Sequence, residues 1–214
     1  PPPCVWVPLP LSSRRTPALP TTRQESRAME IEITFIRHAE SLENQKVAHA
    51  CEALYRLKTF RLPTVEQIFQ SMRLLEFNLD AAVSTHGKRQ LQDMKMILAD
   101  QEFWKLPFDG IVFSPLARAR ETCFTLLPAE LHGLPECLED LREVSPVEHL
   151  VKSYVRRRIR GFEDWLYSSG KKRVLVVGHS QHFNKLLGMK QLMRNGDVWR
   201  ATATFAEGEG GAGR

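Results

Sequence analysis

Residues 174–177 read V-L-V-V and lie between Arg173 and the sequence G-H-S. A short run that is apolar at every position, and not at alternate positions, predicts a strand with both faces buried. Strands of this kind occur in parallel sheets, because helices cover both faces of such a sheet. This run therefore predicts an α/β fold.

The rest of the chain repeats this pattern, because strand and helix signals alternate along it. Ser114-Pro115 predicts the start of a helix, with Ser114 as the N-cap and Pro115 at the first helical position. Gly170 predicts a helix end. The alternation predicts a three-layer α/β/α sandwich with a mostly parallel central sheet. Predicted strands lie at 32–38, 110–114, 173–180 and 197–205, and predicted helices at 87–104 and 148–167.

The 214 residues are enough for one α/β domain, which we place at residues 29–206. Residues 1–28 are rich in Pro, Ser, Thr and Arg, and we predict a disordered basic tail. An organellar transit peptide is a second interpretation of this tail, although its prolines disfavour an amphipathic helix. A third is sequence upstream of a native start at Met29. Residues 207–214 are predicted to be a flexible C-terminal tail.

Charge and cysteine content argue against several classes of protein. The tail holds four arginines and one glutamate, so it carries +3 of the net +5 and leaves a mildly basic domain. We therefore predict no nucleic-acid partner. No apolar run has the length of a membrane span. The four cysteines form no CxxC pair, which favours free thiols in a reducing compartment and predicts a cytoplasmic protein.

Three of the predicted strands end in polar side chains. The first ends at Arg37 and His38, the second at Ser114 with Arg118 one helical turn further, and the third at His179. Since the carboxyl ends of parallel strands meet at one edge of a sheet, these side chains are expected to lie close together. Each alone has an ordinary structural explanation, but three such ends in one chain indicate a site.

Converging arginines and histidines suit a dianionic phosphate. Arginine stays protonated and offers a planar fork of donors that matches phosphate oxygens. A neutral imidazole beside them can attack phosphorus and form a phosphohistidine. The sequence has no HExxH motif and no Asp-rich loop, so we predict neither a metal site nor a cofactor.

Several motifs resemble those of the histidine phosphatase superfamily, which has the phosphoglycerate mutase-like fold. The signature R-H-G-E-[ST]-x-x-N is similar to R-H-A-E-S-L-E-N at 37–44. The S-x-L-x-R-[AT]-x-E-T block is similar to S-P-L-A-R-A-R-E-T at 114–122, and the late V-x-H block to V-G-H-S at 177–180. The segments 79–91 and N-G-D-V at 195–198 also fit, and the resemblance covers roughly residues 30–205.

The resemblance implies a role for each matching residue. It makes His38 the nucleophile that becomes phosphorylated, and Arg37 and Arg118 the ligands of the phosphoryl oxygens. His179 is implied to be a second-histidine phosphate ligand that also steadies the transition state, and Asn44 a further donor to the phosphate.

The family also uses a carboxylic acid that protonates the leaving group. Glu143, in L-R-E-V, stands at the position that resembles it. Asp140 and Glu139 are the alternatives. A bound phosphate dianion favours the protonated form of a neighbouring carboxyl group, which is the form that donates.

Two departures from the family pattern stand out. Ala39 replaces the usual glycine, and its methyl group fits if the local φ is negative. Residues 45–78 replace the short mutase loop, and we predict a helical insertion that forms a substrate lid. The basic run at 156–160 is predicted to be a solvated helix face.

The function expected from these features is a metal-independent phosphomonoesterase. It would act on a small phosphorylated metabolite through a phosphohistidine intermediate. The absence of the mutase loop favours a phosphatase over the same-class alternative, a phosphoglycerate-type mutase. A non-catalytic, phospho-ligand-binding regulatory protein on the same fold is the alternative from another class. The substrate and the oligomeric state are not indicated by the sequence.

Overall fold

The structure is a computed structural model and describes residues 2–9, 28–72, 80–144 and 152–206. Six strands form one sheet in the order β1-β6-β2-β5-β3-β4. β2, β5, β3 and β4 pair in parallel, while β6 is antiparallel to both of its neighbours. The strands are β1 Cys4–Leu9, β2 Met29–Arg37, β3 Gly110–Phe113, β4 Pro135–Cys137, β5 Arg173–Gly178 and β6 Val198–Phe205.

Helices pack on both faces of the sheet, which confirms the predicted α/β fold. The α-helices among the described residues are α1 Leu42–Lys58, α2 Val65–Met72, α3 Thr85–Asp100, α4 Ala117–Leu126, α5 Lys152–Ser169 and α6 Ser180–Leu187. Phe162 of α5 and Phe183 of α6 belong to the core on one face. Leu91 of α3 and Leu126 of α4 belong to the core on the other.

The V-L-V-V run forms β5, in the middle of the sheet between β2 and β3. Its side chains alternate between the two cores, so that Val174 and Val176 enter one and Leu175 and Val177 the other. All four are at most 1% exposed. Burial on both faces explains why the run is apolar at every position.

The predicted disordered tail is wrong for residues 4–9. These residues form β1, an edge strand that pairs along β6. Trp6 explains the pairing, since its ring packs against Phe35 and its indole nitrogen donates to Glu163 at 3.0 Å. Pro8 is tolerated because an edge strand has one side without a ladder partner. Residues 10–27 and 207–214 lie outside the described residues.

The predicted start of the helix after β3 is wrong by two residues. α4 begins at Ala117, with Leu116 as its N-cap residue and no side-chain cap. Ser114 is fully buried, and its hydroxyl lies 2.8 Å from Nε2 of His179. The side chain that looked like a helix cap therefore belongs to the polar cluster at the strand ends. Gly170 does end α5, with φ of +66°.

The insertion at 45–78 contains most of α1 and all of α2, which pack mainly against each other. Residues 73–79 lie outside the described residues. The turn between the helices is apolar and exposed, and Phe60, Leu62 and Val65 are each at least 85% exposed. The described part of the insertion is thus largely helical, and its role as a lid stays a prediction. None of the helices in the described part of the chain is long and apolar enough to cross a membrane.

Candidate active site

The three polar strand ends meet at one edge of the sheet. Arg37 lies opposite Gly178 in the pairing of β2 with β5. The His38 amide donates to the Gly178 carbonyl at 2.9 Å, and the Ser114 amide donates to the Val177 carbonyl at 3.0 Å. Backbone hydrogen bonds beyond the ends of β2, β3 and β5 therefore bring the motifs that contain His38, Ser114 and His179 together.

His38 is held in one orientation. Its ring is 1% exposed, and Nδ1 lies 2.6 Å from the carbonyl oxygen of Ala39. A carbonyl oxygen only accepts, so Nδ1 carries the proton and donates it. The lone pair of the neutral ring is then on Nε2, which is the arrangement that a nucleophilic histidine needs.

Ala39 is compatible with this geometry. Among the described residues, the only non-glycine residues with positive φ are Phe60 and Glu102, so φ of Ala39 is not in the left-handed region. Its methyl group is fully buried in the core beneath α3 and α4. Its amide donates to Oγ1 of Thr122 at 3.0 Å, and that hydroxyl donates to the Arg118 carbonyl at 2.7 Å. Ala39 thus fits where the family pattern has glycine.

His179 lies beside His38, with the two ring centroids 4.9 Å apart. Burial lowers the pKa of both rings well below 6.5, and positive neighbours lower it further. For both rings these neighbours include Arg118 and Arg37. Both imidazoles are therefore neutral at physiological pH.

Two arginines supply positive charge at the site. Arg118 is 7% exposed and comes from the first turn of α4. Arg37 is half-buried, and its Nη1 donates to the Met193 carbonyl. Burial lowers the pKa of both guanidinium groups below 12.5, but arginine remains protonated at neutral pH.

Glu143 is the one of the three candidate acids that contacts this cluster. Its Oε2 lies 3.2 Å from Nδ1 of His179 and 3.9 Å from Nη2 of Arg118. The contact with His179 lacks the angle of a hydrogen bond. Asp140 instead packs against Gly161 of α5, and Glu139 is exposed and pairs with Arg142 at 3.8 Å.

Asn44 also reaches the site, from the first turn of α1. Its Oδ1 accepts from the Ser41 amide at 3.3 Å and from the side chain of Asn195 at 3.4 Å. These bonds orient the carboxamide and leave its NH2 group without a partner among the described residues. That group is the donor expected for a phosphate.

Asn195 is a site residue that the sequence did not single out. Its Nδ2 donates to the His38 carbonyl at 3.1 Å as well as to Asn44. It lies in the segment that precedes β6, whose N-G-D-V sequence was noticed only as a family feature. The sequence signal that could have identified Asn195 was its position, as a polar residue just before β6, the strand that pairs with β2.

A metal could in principle meet three donors here. Suitable ligand atoms of His38, Glu143 and His179 lie within 4.8 Å of one another. Two histidines and a glutamate are a ligand set that zinc uses. The guanidinium groups of Arg37 and Arg118 share the same site and repel a cation, whereas they attract a phosphate. The charge of the site thus favours an anion.

Comparison with known proteins identifies the fold. No protein-family model matches the sequence, and no curated protein matches it significantly. Solved structures do match. A phosphoglycerate mutase from Bacillus anthracis shares 17% identity, with 84% of this chain and 90% of that chain covered and a TM-score of 0.52.

A second match is a mycobacterial glucosyl-3-phosphoglycerate phosphatase in complex with VO3. It shares 16% identity and a TM-score of 0.50, and the match covers 79% of this chain and 92% of that chain. The chain therefore has the phosphoglycerate mutase-like fold. This confirms the resemblance that the three sequence motifs indicated.

Proposed function

Starting from this fold and from the geometry of the strand ends, we propose that the protein is a metal-independent phosphomonoesterase that acts through a phosphohistidine. The observation that carries the proposal is the orientation of His38. Its Nδ1 is committed to the Ala39 carbonyl at 2.6 Å, which directs the lone pair to Nε2. Arg118 lies 3.9 Å from Glu143, which lies 3.2 Å from His179, and the ring of His179 lies beside that of His38, so phosphate bound to Arg118 would be within reach of His38.

In the first step, Nε2 of His38 attacks phosphorus and the bond to the leaving oxygen breaks. Arg37, Arg118 and the NH2 group of Asn44 stabilise the charge on the equatorial oxygens. His179 adds a further phosphate ligand. The leaving oxygen takes a proton from Glu143, whose Oε1 is buried and has no hydrogen-bond partner among the described residues.

In the second step, water attacks the phosphohistidine and the phosphorus–nitrogen bond breaks. Glu143, now a carboxylate, accepts the proton of the attacking water. Oε2 of this carboxylate remains between His179 and Arg118. The products are inorganic phosphate and free enzyme with His38 neutral again.

The α1–α2 insertion is proposed to select the substrate. Asn44 lies in the first turn of α1, and the insertion begins at the next residue. One end of the insertion is therefore joined to the proposed phosphate site. The longer insertion in place of the mutase loop favours transfer to water over return of the phosphoryl group to a bound product. A small phosphorylated metabolite is the substrate class that this arrangement fits.

Turnover of p-nitrophenyl phosphate in the presence of EDTA tests the proposal. We expect phosphate release by the wild type and a loss of at least about 1,000-fold in kcat for His38→Ala. His132→Ala is the matched control, because the contacts of His132 are with Phe124 and the Leu127 carbonyl and not with a site residue, and it should keep full activity.

Four results would contradict the proposal. Survival of activity in His38→Ala would exclude the phosphohistidine route, and complete loss of activity in EDTA would exclude a metal-independent reaction. Binding of vanadate without turnover of any aryl, sugar or nucleotide phosphate would instead indicate a phospho-ligand-binding protein. Conversion of a monophosphate into its positional isomer, with little free phosphate, would indicate a mutase.

A further inference from the structure

The basic run of α5 differs from its prediction at one position. Arg156, Arg157 and Arg160 are exposed, as a solvated helix face requires. Arg158 is half-buried and points to the segment that carries Glu143. One arginine of the run is therefore part of the packing between α5 and the site.

Arg158 binds the backbone of that segment at three points. Its Nη1 donates to the carbonyl oxygens of Arg142, at 2.6 Å, and Asp140, at 3.5 Å. Its Nη2 donates to the carbonyl oxygen of Glu143 at 3.4 Å. A planar guanidinium can hold several acceptors in one fixed geometry, which a lysine ammonium cannot.

Gly161, one turn further along α5, allows this close approach. A β-carbon at this position would collide with the carboxylate of Asp140, meeting Cγ at 2.8 Å. The contact is with the 3-10 turn Glu139–Leu141, which ends two residues before Glu143. Arg158 and Gly161 thus both contribute to the close packing of α5 against residues 139–143.

Arg158 also acts on the site by its charge. It is among the causes that lower the pKa of the buried rings of His179 and His182. Its guanidinium is therefore near the histidine that Glu143 contacts. Because Glu143 has only a 3.2 Å and a 3.9 Å contact through its side chain, its backbone must supply much of its placement.

We propose that Arg158 is a positioning residue that holds the backbone of residues 140–143 so that the Glu143 carboxyl group meets the leaving oxygen. The inference rests on the proposed function, in which Glu143 is the proton donor. A positioning residue of this kind matters most when the leaving group needs a proton. It matters little when the leaving group departs as a stable anion.

The experiment compares Arg158→Gln, Arg158→Lys and the control Arg157→Gln with two substrates. One is p-nitrophenyl phosphate, a good leaving group, and the other is an alkyl phosphate such as glycerol 2-phosphate, a poor one. Both Arg158 variants should lose about 10-fold or more in kcat/KM for the alkyl phosphate and less than about 3-fold for the aryl phosphate. Arg157→Gln should match the wild type with both substrates.

Hydrogen–deuterium exchange of residues 139–144 gives a readout that does not depend on turnover. We expect faster exchange in this segment in both Arg158 variants, and wild-type rates in Arg157→Gln. Circular dichroism and the melting temperature establish that each variant is folded.

Three outcomes would overturn the inference. They are unchanged exchange in the Arg158 variants, equal losses with both substrates, and the same losses in Arg157→Gln. Failure of the proposed function is recognised separately, because the wild type would then hydrolyse neither substrate. In that event the exchange rates alone decide whether Arg158 holds the segment.

Discussion

At the scale of single residues, the orientation of His38, the proposed nucleophile, depends on the peptide unit that follows it. The Ala39 carbonyl accepts from His38, while the Ala39 amide donates to Thr122. Thr122 in turn donates to the Arg118 carbonyl. One hydroxyl group therefore links Ala39, which orients His38, with Arg118, the proposed phosphate ligand. A change at Thr122 should therefore affect the positions of both Ala39 and Arg118.

Replacing Thr122 tests this link. Thr122→Val keeps the shape but leaves the buried Ala39 amide without an acceptor, which should cost about 1–3 kcal/mol of the free energy of unfolding. We also expect kcat to fall, because the Ala39 carbonyl loses its anchor. Thr122→Ser keeps the hydroxyl and should retain most of the stability and most of the activity. Urea unfolding measures the first and kcat the second. Equal behaviour of the two variants would show that the hydroxyl is unimportant.

The sequence could predict which polar residues meet at the edge of the sheet, but not all of the residues that hold them in place. His38 and His179 stand at strand ends and Arg118 in the first helical turn after one, where residue type and position are both informative. Thr122 and Asn195 act on residues 83 and 157 positions away in the chain, so no local pattern identifies their partners. Their roles follow only from the tertiary structure.

At the scale of elements, the start of α3 packs against the loop that follows the nucleophile. Ser84 donates to the Glu40 carboxylate at 2.7 Å, and its amide donates to the Glu40 carbonyl at 2.9 Å. Gln90 accepts from the Glu40 amide at 3.1 Å. Gly87 permits this contact, since a β-carbon there would collide with the Glu40 carbonyl and meet Val83 at 2.7 Å.

Gly87→Ala should therefore destabilise the protein, although alanine is the better helix former. We expect a loss of about 1–3 kcal/mol from overpacking, together with reduced kcat because the loop after His38 is displaced. Gly133→Ala is the control, because a β-carbon there meets nothing within 4 Å. Chemical denaturation of both variants measures the difference, and a Gly87→Ala variant as stable as the wild type would contradict this explanation.

The sequence could predict most strands and helices, because burial on one or both faces leaves a periodic pattern. β1 was missed because Pro-rich surroundings and a single edge partner weaken the pattern. The start of α4 was predicted two residues too early, because the Ser114 hydroxyl contacts His179 and does not cap the helix. Local signals fail where tertiary contacts compete for the same side chain.

At the scale of the whole molecule, three buried histidines are kept neutral by the folded state. Burial lowers the pKa of His38 and His179 well below 6.5 and that of His182 to about 3. In the unfolded chain these rings titrate near pH 6.5. Below that pH the unfolded state binds more protons than the folded state, so the free energy of unfolding falls as the pH decreases.

His182→Leu should reduce this acid sensitivity. Both ring nitrogens of His182 are buried without a hydrogen-bond partner among the described residues, so the leucine removes a group that resists burial. Between pH 6 and pH 4 we expect the slope of unfolding free energy against pH to decrease by about 1.4 kcal/mol per pH unit. Gly133→Ala, at a position where an added β-carbon meets nothing within 4 Å, is the control and should leave the slope unchanged.

Urea unfolding at a series of pH values measures these slopes. The same slope in His182→Leu and in the wild type would show that this ring is not kept neutral by folding. The acid limb of kcat/KM should likewise lie well below pH 6.5, because His38 is already neutral there.

Trapping the covalent intermediate is the decisive measurement for the proposed chemistry. The protein is mixed with an aryl phosphate and quenched in alkali, where phosphohistidine survives, and the digested peptides are analysed by mass spectrometry. We predict one added phosphoryl group on the peptide that contains His38, and none in His38→Ala. A phosphoryl group on another residue, or rapid phosphate release with no phosphopeptide at any quench time, would contradict nucleophilic attack by His38.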